Sequence, residues 1–237
     1  KETILLEIRL PRVIMAFLIG MLLASSGVVV QSVFLNPLAD PYIIGIASAA
    51  TSGFIFAVKR DCDWLGIFIA ALLTALGGGF MRDAIVSRPP YSFTHYAPCI
   101  IVMVMLFLSA FLRLHKRSDI EKKFLFVTTD AVDLVSFSIV GAIVALQFGY
   151  NVFGVVLLAL CNGVGGGMIR DVLFNEIPWC LKTGLYATVS IVVGLIYFAM
   201  DYAGFTSVFW VMGLFAFGVV FRLAAYYLGW HLPTLQK

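Results

Sequence analysis

The sequence predicts an all-α membrane protein: two inverted three-helix repeats, a seventh helix, and one extra N-terminal transmembrane helix. Three observations predict it. The 237 residues are 62% hydrophobic and only 12% charged, with a mean hydropathy of +1.02, far from the balance of soluble domains. Apolar runs of nearly membrane-spanning length recur along the whole chain. The stretch GGGFMRD at 77–83 also returns as GGGMIRD at 165–171.

Taken in order, nearly uncharged runs occupy about 13–35, 42–58, 64–81, 96–112, 134–149, 152–169, 183–200 and 202–221. Most approach the roughly 17 to 25 residues that a spanning helix needs. None alternates apolar with polar residues, as the strands of a membrane barrel would. The first run follows Arg9 and Arg12 and continues through Val28 to Leu35, too long for a signal peptide. Because the chain begins with Lys1 rather than Met, a fragment or a processed product is expected.

The net charge of +3 matters less than its placement. Arg113, His115, Lys116, Arg117, Lys122 and Lys123 crowd the loop after the fourth run, which the positive-inside rule makes cytoplasmic. Counting spans from that loop puts Lys59, Arg60, Arg9, Arg12 and the C-terminal tail on the same side. These charges flank spans, so they are read as topology signals rather than as a nucleic-acid patch. Cys62, Cys99, Cys161 and Cys180 have no metal or redox spacing, and His95, His115 and His231 form no catalytic motif. No phosphate-loop Lys follows the glycines. The sequence therefore predicts no enzyme, no cofactor, no bound metal and no nucleic-acid partner.

Gly77 and Gly165 stand 88 residues apart, and the same offset relates Gly53 to Gly141, Gly66 to Gly154, Arg82 to Arg170, Asp83 to Asp171 and Pro90 to Pro178. Beyond the prolines the register slips by two, matching Tyr96-Ala97 to Tyr186-Ala187. Each repeat holds three spans, about 42–112 and about 130–200, and an odd number makes the second copy enter the membrane from the opposite side. Inverted repeats of this kind place an ion or substrate path where the two copies meet. The last helix, about 202–228, lies outside the repeat.

Three glycines in a row weaken a helix by about 1 kcal/mol each relative to alanine. Two readings account for Gly77, Gly78, Gly79, Gly165, Gly166 and Gly167: close helix packing, or a kink whose freed backbone lines a polar path. Arg82 and Asp83, like Arg170 and Asp171, are adjacent and point about 100° apart on a helix, so each is expected to find a different partner. An intramembrane charge is a functional candidate, and its recurrence in both repeats favours the path over a snorkelling anchor. Asp130 and Asp133 share a helix face and read either as caps beside Thr128 and Thr129 or as a cation-attracting mouth.

These residues, with Asp130-Ala131, Arg222-Leu223-Ala224-Ala225 and Trp230-His231-Leu232-Pro233, resemble the prokaryotic trimeric intracellular cation (TRIC) channel family over about residues 43–237. The resemblance implies a homotrimer in the lipid of the prokaryotic inner membrane, with a cytoplasmic C-terminus and a potassium-permeable pore in each protomer. The permeant potassium ion takes the place of a cofactor. Gly77–Gly79 and Gly165–Gly167 are the expected kinks, and Arg82, Asp83, Arg170, Asp171, Asp130, Asp133 and Ser52 the expected polar groups of the path. The family domain is also labelled a glycine transporter, so uptake of a small zwitterion is the alternative.

Residues 1–42 form a separate segment. IRLPRVIMAFLIGMLLASSGVVVQ and NPLADPYIIGIASAA resemble the permease subunits of iron-siderophore and cobalamin ABC importers. The segment lacks an ATPase-docking region, so no ATPase partner is expected. The seam between about 42 and 53 leaves open a natural fusion, an artefact or a chimera. It puts Tyr42 at the position that the 88-residue offset pairs with Asp130, where the resemblance to the channel family implies an acidic residue.

Overall fold

A computed structural model describes residues 41–116, 118–182 and 185–230. The expected N-terminal transmembrane helix, the permease-like segment up to residue 40, and His231 lie outside the described residues. Nine α-helices occur among those described: α1 (Pro41–Val58), α2 (Trp64–Ile85), α3 (Tyr91–Thr94), α4 (Ala97–Phe111), α5 (Asp119–Gln147), α6 (Val152–Leu173), α7 (Trp179–Lys182), α8 (Tyr186–Tyr202) and α9 (Val208–Tyr227). A 3₁₀ turn at Leu114–Lys116 precedes α5.

The repeat is visible in the boundaries themselves. Both α2 and α6 run 22 residues, and their first residues are 88 apart. Each begins with the same device: Gly66 N donates to the Asp63 carboxylate at 2.7 Å, and Gly154 N donates to the Asn151 side-chain oxygen at 3.0 Å, satisfying a backbone donor that the helix start would otherwise orphan. Each also ends alike. Ser87 and Asn175 take left-handed conformations, with φ of 54° and 55°, so that Arg88 N donates to Asp83 O and Glu176 N to Asp171 O.

Helices α1, α2, α5 and α6 form the inner bundle, α4 packs on α1 and α2, and α8 packs on α5 and α6. The pairing α1/α5, α2/α6, α4/α8 is the predicted inverted repeat, with α9 added against α5 and α8. The close approaches repeat too: a Cβ on Gly53 would lie 2.7 Å from Ala71 Cα, and one on Gly141 2.9 Å from Ala159 Cα. Lipid tails are as apolar as leucine, so small residues that admit a neighbouring backbone supply the helix–helix attraction.

Two expectations about elements change. Helix α5 begins at Asp119, well before the apolar run at 134, because a helix continues beyond the bilayer through charged turns that hydropathy does not register. Asp130 and Asp133 therefore lie about three turns inside it and are not caps. Five described helices, α1, α2, α5, α6 and α9, are long and apolar enough to cross a membrane, whereas α4 and α8 are apolar and shorter.

Candidate functional site

The glycine triplets are where the repeats meet. Helix α2 is continuous through Gly77, Gly78 and Gly79, and α6 through Gly165, Gly166 and Gly167. The first two glycines of each triplet serve a crossing. A Cβ on Gly78 would run into the Asn162 carbonyl oxygen, and one on Gly166 into that of Thr74, its partner by the same offset. A Cβ on Gly77 would stand 3.2 Å from Gly166 Cα, and one on Gly165 3.1 Å from Gly78 Cα. The third glycines differ. The single heavy atom within reach of a Cβ on Gly79 is Arg82 Nη2 at 3.8 Å, and on Gly167 it is Arg170 Nη2 at 3.7 Å. At those two positions a methyl group would meet only the tip of a guanidinium, at ordinary contact distance.

The adjacent charges pair with each other, contrary to expectation. Arg82 Nε and Nη2 donate to Asp83 at 2.8 and 3.1 Å, and Arg170 Nε donates to Asp171 at 2.9 Å. The 100° separation at the backbone holds, yet the long arginine side chain curls around the last helical turn to reach its neighbour. All four residues are at most 3% exposed, so none snorkels. The aspartates also serve second partners, Asp83 accepting from Tyr91 N and Asp171 from Trp179 N, each at 2.8 Å. These bonds tie α3 and α7 back onto the bundle.

In the antiparallel crossing Thr74 lies against Gly166 and Gly78 against Asn162. Arg170 therefore sits level with about residue 70 of α2, about 18 Å along the axis from Arg82. The predicted site residues accordingly form two clusters rather than one. At one end Arg82 and Asp83 meet Arg88, whose Nε donates to Asp83 at 2.8 Å, and the guanidinium of Arg82 lies 5.6 Å from the centroid of the Tyr42 ring. Tyr42 in turn packs edge-on against Tyr91 at 5.4 Å.

The other end is richer. Arg170 and Asp171 join Asp130 and Asp133 of α5 and Ser52 of α1. Tyr186 donates to Asp130 Oδ1 at 3.1 Å, and Ser52 donates to Asp133 Oδ2 at 3.2 Å. Arg170 lies 4.1 Å over Phe56. Arg222 of α9, only 2% exposed, is caged by the rings of Tyr186 at 4.5 Å, Trp179 at 5.4 Å and Tyr226 at 6.0 Å. Asp130 Oδ2, Arg170 Nη1 and Arg222 Nε and Nη2 are buried without a hydrogen-bond partner.

A cavity of about 220 Å³ opens at this end, lined by Lys59, Arg60, Arg170, Asp171 and Glu176 among aromatic side chains. Arg60 Nε and Glu176 bond at 2.7 Å across it, joining the α1–α2 loop to the α6–α7 loop. Beyond Arg170, Asp171 and Trp179 lies a smaller space of about 10 Å³, bounded by Asp130, Gly167 and Tyr186. It has room for about one water. Among the described residues, no group of three or more His, Cys, Asp or Glu side chains is arranged to hold a metal ion.

Sequence reasoning missed Arg222, Tyr186 and Asn162. An arginine inside the last helix, directly after its apolar run, was the available signal for Arg222. Tyr186 and Asn162, whose Nδ2 donates to Phe137 O at 2.6 Å across the α5–α6 contact, carry no such mark.

Residues 127–202 match the family model described as Glycine transporter, and residues 1–164 match that of the FecCD transport family. The UPF0126 membrane protein YvgT of Bacillus subtilis is 32% identical over 81% of this chain and 93% of its own length. The UPF0126 inner membrane protein YadS of Escherichia coli is 33% identical over the same shares. A probable iron chelatin transport system permease protein of Helicobacter pylori is 56% identical over 31% of this chain, but this covers only 23% of the permease. Among solved structures, a TRIC cation channel is 31% identical with a TM-score of 0.73, covering 83% of this chain and 96% of that one. A prokaryotic TRIC channel is 30% identical with a TM-score of 0.70, covering 79% and 94%. The chain belongs to the UPF0126 family of membrane proteins, shares the fold of the prokaryotic TRIC channels, and in residues 1–164 also belongs to the FecCD transport family.

Proposed function

We propose that the chain is a monovalent cation channel of the inner membrane, permeable to potassium, with a pore inside each protomer of a homotrimer and a cytoplasmic C-terminus. One observation carries the reading: buried charged clusters stand at opposite ends of a pseudo-symmetric crossing, each beside the third glycine of a triplet. The channel nature of the solved TRIC relatives supports it, as does the inner-membrane designation of the Escherichia coli relative.

The path runs beside the α2–α6 crossing, not through it, because Gly78 and Gly166 close that contact. Gly79 and Gly167 then line the path, with Arg82, Asp83, Arg170, Asp171, Asp130, Asp133 and Ser52 as its polar wall. Alanine at both third glycines fits the fold and narrows only the path. The test is potassium flux into liposomes: Gly79→Ala/Gly167→Ala should fold normally and conduct several-fold less. Unchanged flux through a folded double variant would sink the reading.

Uptake of glycine or a similar zwitterion is the second reading, favoured by the family model that matches residues 127–202. That mechanism uses half-helix N-termini to hold a carboxylate. Continuous α2 and α6 offer none at the glycines, which weighs against it. A transporter gives saturable uptake of labelled glycine, and a channel gives potassium currents that do not saturate in that range.

A further inference from the structure

The cavity of about 220 Å³ at the Arg170 end is spanned by a pair of side chains. Arg60 Nε and Nη2 donate to the two carboxylate oxygens of Glu176, each at 2.7 Å, while Arg60 Nη1 donates to Phe56 O at 2.9 Å. The Arg60 guanidinium lies 3.3 Å over the Phe56 ring, and that of Arg170 lies 4.1 Å over the same ring. Glu176 is tied inward as well, its N–H donating to Asp171 O at 2.9 Å. The outer pair therefore touches both members of the buried Arg170–Asp171 pair, one through an aromatic ring and the other through the backbone. Beyond the buried pair the space falls to about 10 Å³, room for about one water and too small for a potassium ion that keeps several of its waters.

We infer that Arg60 and Glu176 form a strap that holds this end of the path closed, and that its release frees Phe56 and the Arg170–Asp171 pair so that the two spaces join. The inference rests on the proposed function and deepens it by assigning a gate. The two layers of the closure differ in strength. The side chains of Arg60 and Glu176 are 28% and 41% exposed, and an ion pair this exposed contributes little and is screened by salt. Arg170 and Asp171, at most 3% exposed, do not separate on their own, because each would be left as an uncompensated charge in a low-dielectric interior. Opening the outer pair admits water to the inner one and removes that barrier, so thermal motion and ionic strength act on the strap first.

The strap occurs once. Glu176 and Arg88 are related by the 88-residue offset, and each follows a left-handed residue, Asn175 and Ser87. Glu176 reaches across to the α1–α2 loop of the other repeat, whereas Arg88 folds back on its own helix, its Nε donating to Asp83 at 2.8 Å. The offset also puts Phe148 in place of Arg60 and Val144 in place of Phe56. Neither can take part in such a strap, so closure is controlled from the Arg170 end.

Opening is read apart from conduction by the fluorescence of Trp179, which lines both spaces. The parent is the full chain in detergent with Trp64, Trp210 and Trp230 replaced by Phe. Quenching by acrylamide should rise several-fold over the parent in Glu176→Gln and in Arg60→Gln, and return toward the parent value in the reversed pair Arg60→Glu/Glu176→Arg. High salt should raise quenching in the parent and leave Glu176→Gln unaltered. Equal quenching in the parent and a folded Glu176→Gln protein overturns the strap, as does a reversed pair that quenches like the single variants. A covalent lock gives a second measurement. With the four native cysteines replaced by Ser, Arg60→Cys/Glu176→Cys joined by a short bis-methanethiosulfonate should lose potassium flux in liposomes and regain it with dithiothreitol. Undiminished flux in the joined protein overturns the gate. Quenching that rises as stated, with no current from any variant, leaves the strap standing and removes the channel. Current that no change at Arg60 or Glu176 alters, with quenching equally unmoved, does the reverse.

Discussion

Gly78→Ala is the sharpest probe of the crossing. The added methyl would overlap the Asn162 carbonyl oxygen and lie 3.2 Å from its carbon and 3.5 Å from Gly166 N, all backbone atoms that no rotamer change removes. The two helices must separate by about 1 Å to restore ordinary contact distances. Overpacking of this kind costs about 1 to 3 kcal/mol, against a gain of at most about 1 kcal/mol for alanine over glycine in a helix. With the full gain subtracted, a net loss of up to about 2 kcal/mol lowers the melting temperature by up to roughly 8 °C for a chain of this size. Gly79→Ala, with only Arg82 Nη2 nearby at 3.8 Å, should be neutral or slightly stabilising. Melting of the two purified variants side by side is the assay. A Gly78→Ala protein at least as stable as Gly79→Ala would refute the assignment of the first glycines to packing.

Asp171→Asn removes the charge opposite the Arg170 guanidinium and leaves a single acceptor oxygen for Arg170 and Trp179 N, so it should cost about 3 to 5 kcal/mol. The double variant Arg170→Met/Asp171→Leu should cost clearly less than the sum of its single changes, measured as a double-mutant cycle. Asn151→Ala deletes the cap on Gly154 N and should cost about 1 kcal/mol with potassium flux unaltered. Tyr42→Asp places a carboxylate beside Arg82 at the position related to Asp130, and should raise potassium flux in liposomes several-fold. Unaltered flux would show that the Arg82 end does not limit permeation.

Much of the architecture was legible because inversion leaves a simple trace, a constant offset across breaker and charged residues. The apolar runs beginning at 64 and 152 coincide with the first residues of α2 and α6, capped alike by Asp63 and Asn151, whereas both helices continue four residues beyond the runs, to Ile85 and Leu173. The start of α5 was not legible, because hydropathy reports bilayer depth and α5 extends past it. Of the two readings offered for the glycines, close packing accounts for the first two of each triplet, which admit a neighbouring backbone, while the third meets only a guanidinium nitrogen. The Arg82–Asp83 and Arg170–Asp171 pairs escaped because helical angle describes where side chains start, not where a long flexible one ends. Arg222 escaped because its role arises from aromatic rings on α7, α8 and α9 that come together only in the fold.

The central claim is that monovalent cations pass through each protomer beside the glycine crossing. Planar-bilayer recording of the purified chain in symmetric potassium chloride tests it most directly. The account predicts discrete potassium currents that are reduced in both Asp130→Asn and Gly79→Ala/Gly167→Ala. An electrically silent, correctly folded protein that takes up labelled glycine with saturation would contradict it.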